Sequence, residues 1–216
     1  MSNEIACLVL DTGSGFCKAG LALDDYECVI EPTAIGRGKG ADKGNLSYGE
    51  NALRRKEYLD VSYPIQDGYI QSIDELEKFH EYLYSKKLIM KPQNFSLLIA
   101  YNSDDTPQNK LKTIEMFIER FHVPSFFAID RLLLALYGHG IKRGMILDTG
   151  YESSRAVSAK DGDLIRYTQV ESQIGGKHVT EWLRHLLMTR SGKKKAKKSR
   201  FYVNSIFFIE LSESLF

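Results

Sequence analysis

Apolar residues fall in short blocks along the chain, separated by polar and glycine-rich breaks. Ile5 to Leu10 is an unbroken apolar run of strand length, and Gly13-Ser14-Gly15 turns the chain after it. Phe16 to Leu23 and Glu27 to Ile30 read as the next two strands, with Asp24-Asp25 as their turn. Residues 36–49, GRGKGADKGNLSYG, offer little to bury and read as a loop. Ser72-Ile73-Asp74-Glu75 is a capping-box pattern, and Ile73, Leu76, Phe79 and Leu83 keep helical spacing to about Lys87. Phe95 to Tyr101 is a short apolar strand. Thr106-Pro107 supplies a cap and a proline at the first helical position, and Leu111, Ile114, Phe117, Ile118 and Phe121 then share one helix face. Ser125 to Ile129 reads as a strand, and a helix from Asp130 ends near Gly138. Gly144 to Leu147, Ser153 to Ala159 and Leu164 to Val170 are strands, the last two joined by the hairpin turn Asp161-Gly162. Val179, Trp182, Leu183, Leu186 and Leu187 mark a final helix.

Strands that alternate with helices predict an α/β fold with parallel strands at the centre of its sheet. The 216 residues are enough for one large domain or two small ones. With 43% hydrophobic and 26% charged residues the chain reads as a globular protein, and a net charge of +1 gives no global field for nucleic acid. Cys7, Cys17 and Cys28 are odd in number and lack C-x-x-C spacing, so free thiols in a reducing compartment are expected. No segment is long enough to cross a membrane, and Glu4 sits where a secretory leader needs basic residues.

One pattern changes this picture. LVLDTGSGFCKAG (Leu8 to Gly20) and MILDTGYESSRAV (Met145 to Val157) each run an apolar block into Asp-Thr-Gly. A repeated motif implies two matching halves around one site. Aspartic proteases pair two such loops, and so do nucleotide clamps of the actin and sugar-kinase type. A protease is nearly all strand and needs two carboxylates sharing a proton. The helices here, and Lys18 beside the first loop, point to phosphate chemistry instead. Gly13 and Gly15 free the backbone to turn its N–H groups toward an anion, and Ser14 adds a hydroxyl.

DTGSGFCKAG resembles the first phosphate loop of actins and actin-related proteins. SYPIQDG, FHVPSFFAIDRLLLALYGHG, GMILDTGYESS and QIGGKHVTEWLRHLL resemble further actin segments in the same order, over about Ala6 to Arg190. The resemblance implies an actin-like ATPase fold of the ribonuclease H-like class. It assigns residues 1–140 to a first lobe with a shortened inter-subunit loop at 36–49, and 141–190 to the start of a second lobe, with the remainder missing. By the same resemblance Asp11 and Asp148 hold Mg²⁺ through water, since Mg²⁺ keeps much of its hydration shell. Gly13, Ser14, Gly15, Lys18 and Gly150 match groups that hold the phosphates of ATP.

Several positions depart from that pattern. Asp130 stands where actins place the glutamine that orients the attacking water. It is a base in principle, but a carboxylate that phosphate repels, or simply the N-cap of the next helix. Gly-Asp-Gly of the second loop has become Gly150-Tyr151-Glu152, and Arg155 replaces a histidine. These changes argue against efficient hydrolysis, and the rewritten loop argues against conventional filaments. Residues 191–216 form a basic, then apolar tail outside the resemblance, which reads as a solvated tail, an import signal or an alternative transcript end. The function implied is a divergent, truncated actin-related protein of the cytoplasm and cytoskeleton. Its partners would be actin, actin-related proteins or actin-binding proteins, with no membrane or nucleic acid. Alternatives are a Mg-ATP-dependent switch, a subunit of a nuclear chromatin complex, a testis-restricted actin-like protein, or an aspartic protease.

Overall fold

The computed structural model describes residues 6–23, 27–39, 44–102, 104–191 and 205–209. The expected turn at Asp24-Asp25 and the basic run from Lys193 to Arg200 lie outside the described residues. The chain separates into two compact units, Met1–Arg131 and Leu132–Phe216.

The first unit is built on a five-stranded sheet. Its strands β1 (Cys7–Thr12), β2 (Phe16–Leu21) and β3 (Val29–Pro32) form an antiparallel meander. Leu8 and Leu10 of β1 are sealed from solvent with Cys17 and Ala19 of β2, the alternation that a pleated strand imposes. Burial pushes the Cys17 thiol up to about 12, and all three cysteines are free.

The segment read as a loop at 36–49 is not one. It holds β4 (Ile35–Gly38), β5 (Leu46–Tyr48) and the start of α1 (Gly49–Arg54), and β4 lies between β5 and β6 (Leu59–Ser62) in a second small sheet. The polar reading failed because glycine occupies the buried strand positions. A Cβ on Gly36 would meet Leu59 Cδ1 at 2.8 Å, so the close approach itself requires glycine. Glu31 ties this region to the core. Its buried carboxylate accepts the Glu50 backbone N–H at 2.9 Å and the Tyr82 hydroxyl at 3.2 Å, and pairs with Lys87 at 2.7 Å.

A two-residue hairpin joins β7 (Ile65–Gln66) to β8 (Tyr69–Ile70) through Asp67-Gly68, both at positive φ. Helix α2 (Ile73–Tyr82) starts as predicted, with Ser72 Oγ accepting the Glu75 N–H. The helix then widens through Leu88, where Ile89 at φ 54° ends it. Strands β9 (Ser96–Tyr101) and, after α3 (Pro107–Glu115), β10 (Phe126–Asp130) run parallel to β1, giving the order β10-β9-β1-β2-β3. The parallel centre is thus as expected.

Helix α3 begins at the predicted cap, Thr106, but only part of the predicted face is buried. Phe117 and Phe121 are buried with Met116 and Thr113, while Leu111, Ile114 and Ile118 are exposed. The helix then widens over Met116–Arg120, closed by the Phe121 N–H on the Met116 carbonyl.

In the second unit, α4 (Arg131–Gly138) opens at the boundary and is followed by β11 (Gly144–Thr149), β12 (Ser154–Lys160), β13 (Asp163–Ser172), α5 (Gly176–Ser191) and β14 (Ser205–Ile209). The sheet order is β13-β12-β11-β14, with Ile146, Val157 and Ala159 packed against Leu132 and Leu136 of α4. Asp161 and Gly162 both have positive φ, as their hairpin turn requires.

Candidate functional site

The repeated motif folds into two hairpins of one design. After β1, the Gly13 N–H donates to the Phe16 carbonyl at 2.9 Å, and after β11 the Gly150 N–H donates to the Ser153 carbonyl at 2.9 Å. A Cβ on either glycine would crowd that carbonyl, at 3.2 and 3.1 Å. Lys18 stands opposite Asp11 in the first ladder, and Arg155 stands opposite Asp148 in the second. The sequence repeat is therefore a structural repeat, down to a cation across from each aspartate. Of Gly13 and Gly15, whose N–H groups were expected to face an anion, Gly13 spends its N–H on closing the turn. Ser14 is buried, and the Gly15 carbonyl accepts the Thr33 N–H at 3.1 Å, which fastens the loop to the end of β3.

Asp11 has a cationic neighbour from outside its hairpin. Arg131 Nη2, from the first residue of α4, lies 3.2 Å from Asp11 Oδ1, with both side chains partly shielded. The two atoms form an ion pair and not a hydrogen bond. Asp11 Oδ1 and Arg131 Nε are each buried with no hydrogen-bond partner among the described residues. Behind the pair is a cavity of about 190 Å³, walled by Leu10, Ile99 and Phe117 and lined also by Thr12, His80 and Arg131. His80 Nε2 and Thr12 Oγ1 are hydrogen-bonded at 3.1 Å. Burial pushes the His80 imidazole down to about 3, so it is neutral there. Asp130, the residue before Arg131, ends β10 opposite Tyr101 and is buried.

The second loop is fastened differently. The Gly150 and Tyr151 carbonyls accept the N–H groups of Gly176 and Lys177, at 3.0 and 2.7 Å. They thereby satisfy two of the orphan donors at the start of α5. Gly175 makes this approach feasible: a Cβ there would lie 2.6 Å from the Tyr151 carbonyl oxygen. Glu152 is buried beside them, and Lys177 Nζ donates to its Oε1 at 3.0 Å. That hydrogen bond holds the Lys177 ammonium above its ordinary range. Arg155, also buried, pairs with Glu171 at 3.2 Å.

Compared with models of known protein families, residues 2–208 match the family described as Actin. The chain belongs to the actin family. The match runs past Arg190, where the motif resemblance ends, to a residue within β14. Actin-family proteins typically bind ATP and Mg²⁺. Of the residues assigned to those ligands, Asp11, Gly13, Ser14, Gly15 and Lys18 share the first hairpin, and Asp148 and Gly150 the second. For a hydrated divalent cation the first hairpin fits poorly, because a guanidinium already faces the carboxylate that would hold it. Arg131 was legible as the cation that follows Asp130, and Lys177 lies within the QIGGKHVTEW segment. Neither announces its partner, since both contacts are tertiary.

Proposed function

We propose that this actin-family chain is a structural and cytoskeletal interaction component with weak or no ATP hydrolysis. Its partners are actin, actin-related proteins or actin-binding proteins. The observation that carries this reading is the buried Glu152 carboxylate in the second loop, held by Lys177. A phosphate clamp works by presenting backbone N–H groups and positive charge to an anion. Here the loop presents carbonyls to the first turn of α5 and brings its own anion. A phosphoryl oxygen near that carboxylate meets repulsion that a low-dielectric site strengthens. Asp130 at the position of the water-orienting glutamine supports the same conclusion. The sheet order β10-β9-β1-β2-β3, with an antiparallel meander beside two parallel strands, supports the ribonuclease H-like class of the fold.

Phosphate release from Mg-ATP tests the enzymatic half. The full chain is expected to release no more than buffer, and Asp11→Asn to change nothing. Release above buffer that Asp11→Asn abolishes overturns the reading. Cosedimentation with preformed actin filaments tests the partner half, with the chain expected in the pellet only when filaments are present. Among the described residues no helix is long and apolar enough to cross a membrane.

A further inference from the structure

We propose that Arg131 is a built-in counter-ion for the first loop, standing at Asp11 in place of a divalent metal. The inference deepens the reading above and rests on the chain's actin-family membership. Asp11 lies near the end of β1, and its backbone is fixed by pairing on both sides, to β2 and to β9. Arg131 is fixed as firmly. It is the first residue after β10, whose register with β9 sets where α4 leaves the sheet. The two side chains thus meet because parallel pairing through β9 brings the C-terminal ends of β1 and β10 to the same end of the sheet. The guanidinium lies 3.2 Å from Oδ1, is three-quarters shielded from solvent, and lines the cavity behind the loop.

Charge explains what this does. A carboxylate that holds a hydrated Mg²⁺ does so by Coulomb attraction through water. A guanidinium in contact with it supplies a permanent positive charge, cannot be deprotonated and is more weakly hydrated than an ammonium. A second cation, doubly charged, then meets a neutralised carboxylate and a fixed like charge at short range. The pairing also frees the loop from any need for metal. An anion reaching Ser14 and Lys18 finds two cationic side chains, Lys18 and Arg131, with Asp11 already balanced. Whatever the first loop binds, it binds without a divalent cation.

The test is ATP binding to the full chain, followed by thermal unfolding in EDTA and in Mg²⁺. The wild-type chain is expected to show the same midpoint shift under both conditions, whatever its size. Arg131→Gln is expected to make ATP bind about tenfold tighter in Mg²⁺ than in EDTA, and adding Asp11→Asn to remove the difference. A wild-type chain that binds ATP more tightly with Mg²⁺ overturns the proposal. So does an R131Q chain that stays indifferent to Mg²⁺. If R131Q does not unfold cooperatively, Arg131→Met, which keeps the apolar stem, serves for the same comparison. The readout is binding, so phosphate release by the wild type would defeat the proposed function and leave this inference standing.

Discussion

The two hairpins share a turn, a register and an aspartate, yet they are neutralised in opposite senses. In the first, a carboxylate of the motif, Asp11, receives a cation from outside the hairpin, Arg131. In the second, the loop itself carries the added carboxylate, Glu152, and Lys177 of α5 answers it. The cations opposite the aspartates differ too. Lys18 is half-buried, whereas Arg155 is 6% exposed and committed to Glu171. A hairpin geometry can therefore outlast the chemistry for which it is suited. Backbone turn and ladder depend on Gly13 and Gly150, while ligand preference depends on a few side chains around them.

The sharpest way to break the comparison is Gly175→Ala. Its Cβ would sit 2.6–2.7 Å from the Gly150 and Tyr151 carbonyl oxygens, so the backbone must move and two capping hydrogen bonds are strained. Overpacking together with two weakened bonds gives a cost of about 4 kcal/mol. Gly13→Ala meets one oxygen at 3.2 Å and is expected to cost about 1 kcal/mol. Urea unfolding of both variants measures the gap, and equal costs would show that the second loop is not held by α5.

Arg155→Met comes next. It leaves Glu171 partly buried without its partner, for a loss of about 3 kcal/mol. A double-mutant cycle with Glu171→Gln separates the pair from the packing of the arginine stem, and a coupling near zero would assign the whole loss to packing.

Much of this contrast was legible in the sequence wherever the physics is local. Ser72, Thr106-Pro107 and Asp161-Gly162 act on backbone a few residues away and cap or turn the chain as expected, although Glu75 of the capping-box pattern turns to Arg37 and Ser62 instead of back to Ser72. Asp67-Gly68 carries the same turn signal, within a segment that also resembles actins. The β4–β5 region was missed because its buried positions are glycines. Leu111, Ile114 and Ile118 keep helical spacing yet stay exposed, because spacing alone does not say which residues of a face meet a neighbour. In the site, the hairpin residues were legible from the repeat. The partners Arg131 and Lys177 were not, since each comes from a separate helix.

Acid should act on one unit more than the other. His80, bonded to Thr12 of the first loop, is buried and held down to about 3, whereas His139, His178 and His185 of the second unit are exposed. The folded-state value lies below the unfolded one, near 6.5, so the unfolded chain binds the extra proton between them. This contribution to stability is full above pH 6.5 and is lost as pH falls toward 3. From pH 7 to pH 5 the loss is on the order of 2 kcal/mol. Urea titrations at the two pH values should show it in the wild type and not in His80→Gln. An unchanged pH dependence in the variant would mean that the imidazole titrates normally.

The smallest effect is expected at Lys18, and it sharpens the comparison most. Lys18 occupies the register position of Arg155, but it is half-buried and Asp11 already has Arg131. Lys18→Met should therefore change stability by about 0.5 kcal/mol or less, the ordinary range for a partly exposed charge. If Arg131 carries the neutralisation of Asp11, the order of losses is fixed. Arg131→Gln must cost more than Lys18→Met. A Lys18→Met chain as damaged as the Arg155→Met chain would show that the first hairpin, like the second, depends on the cation across its own ladder.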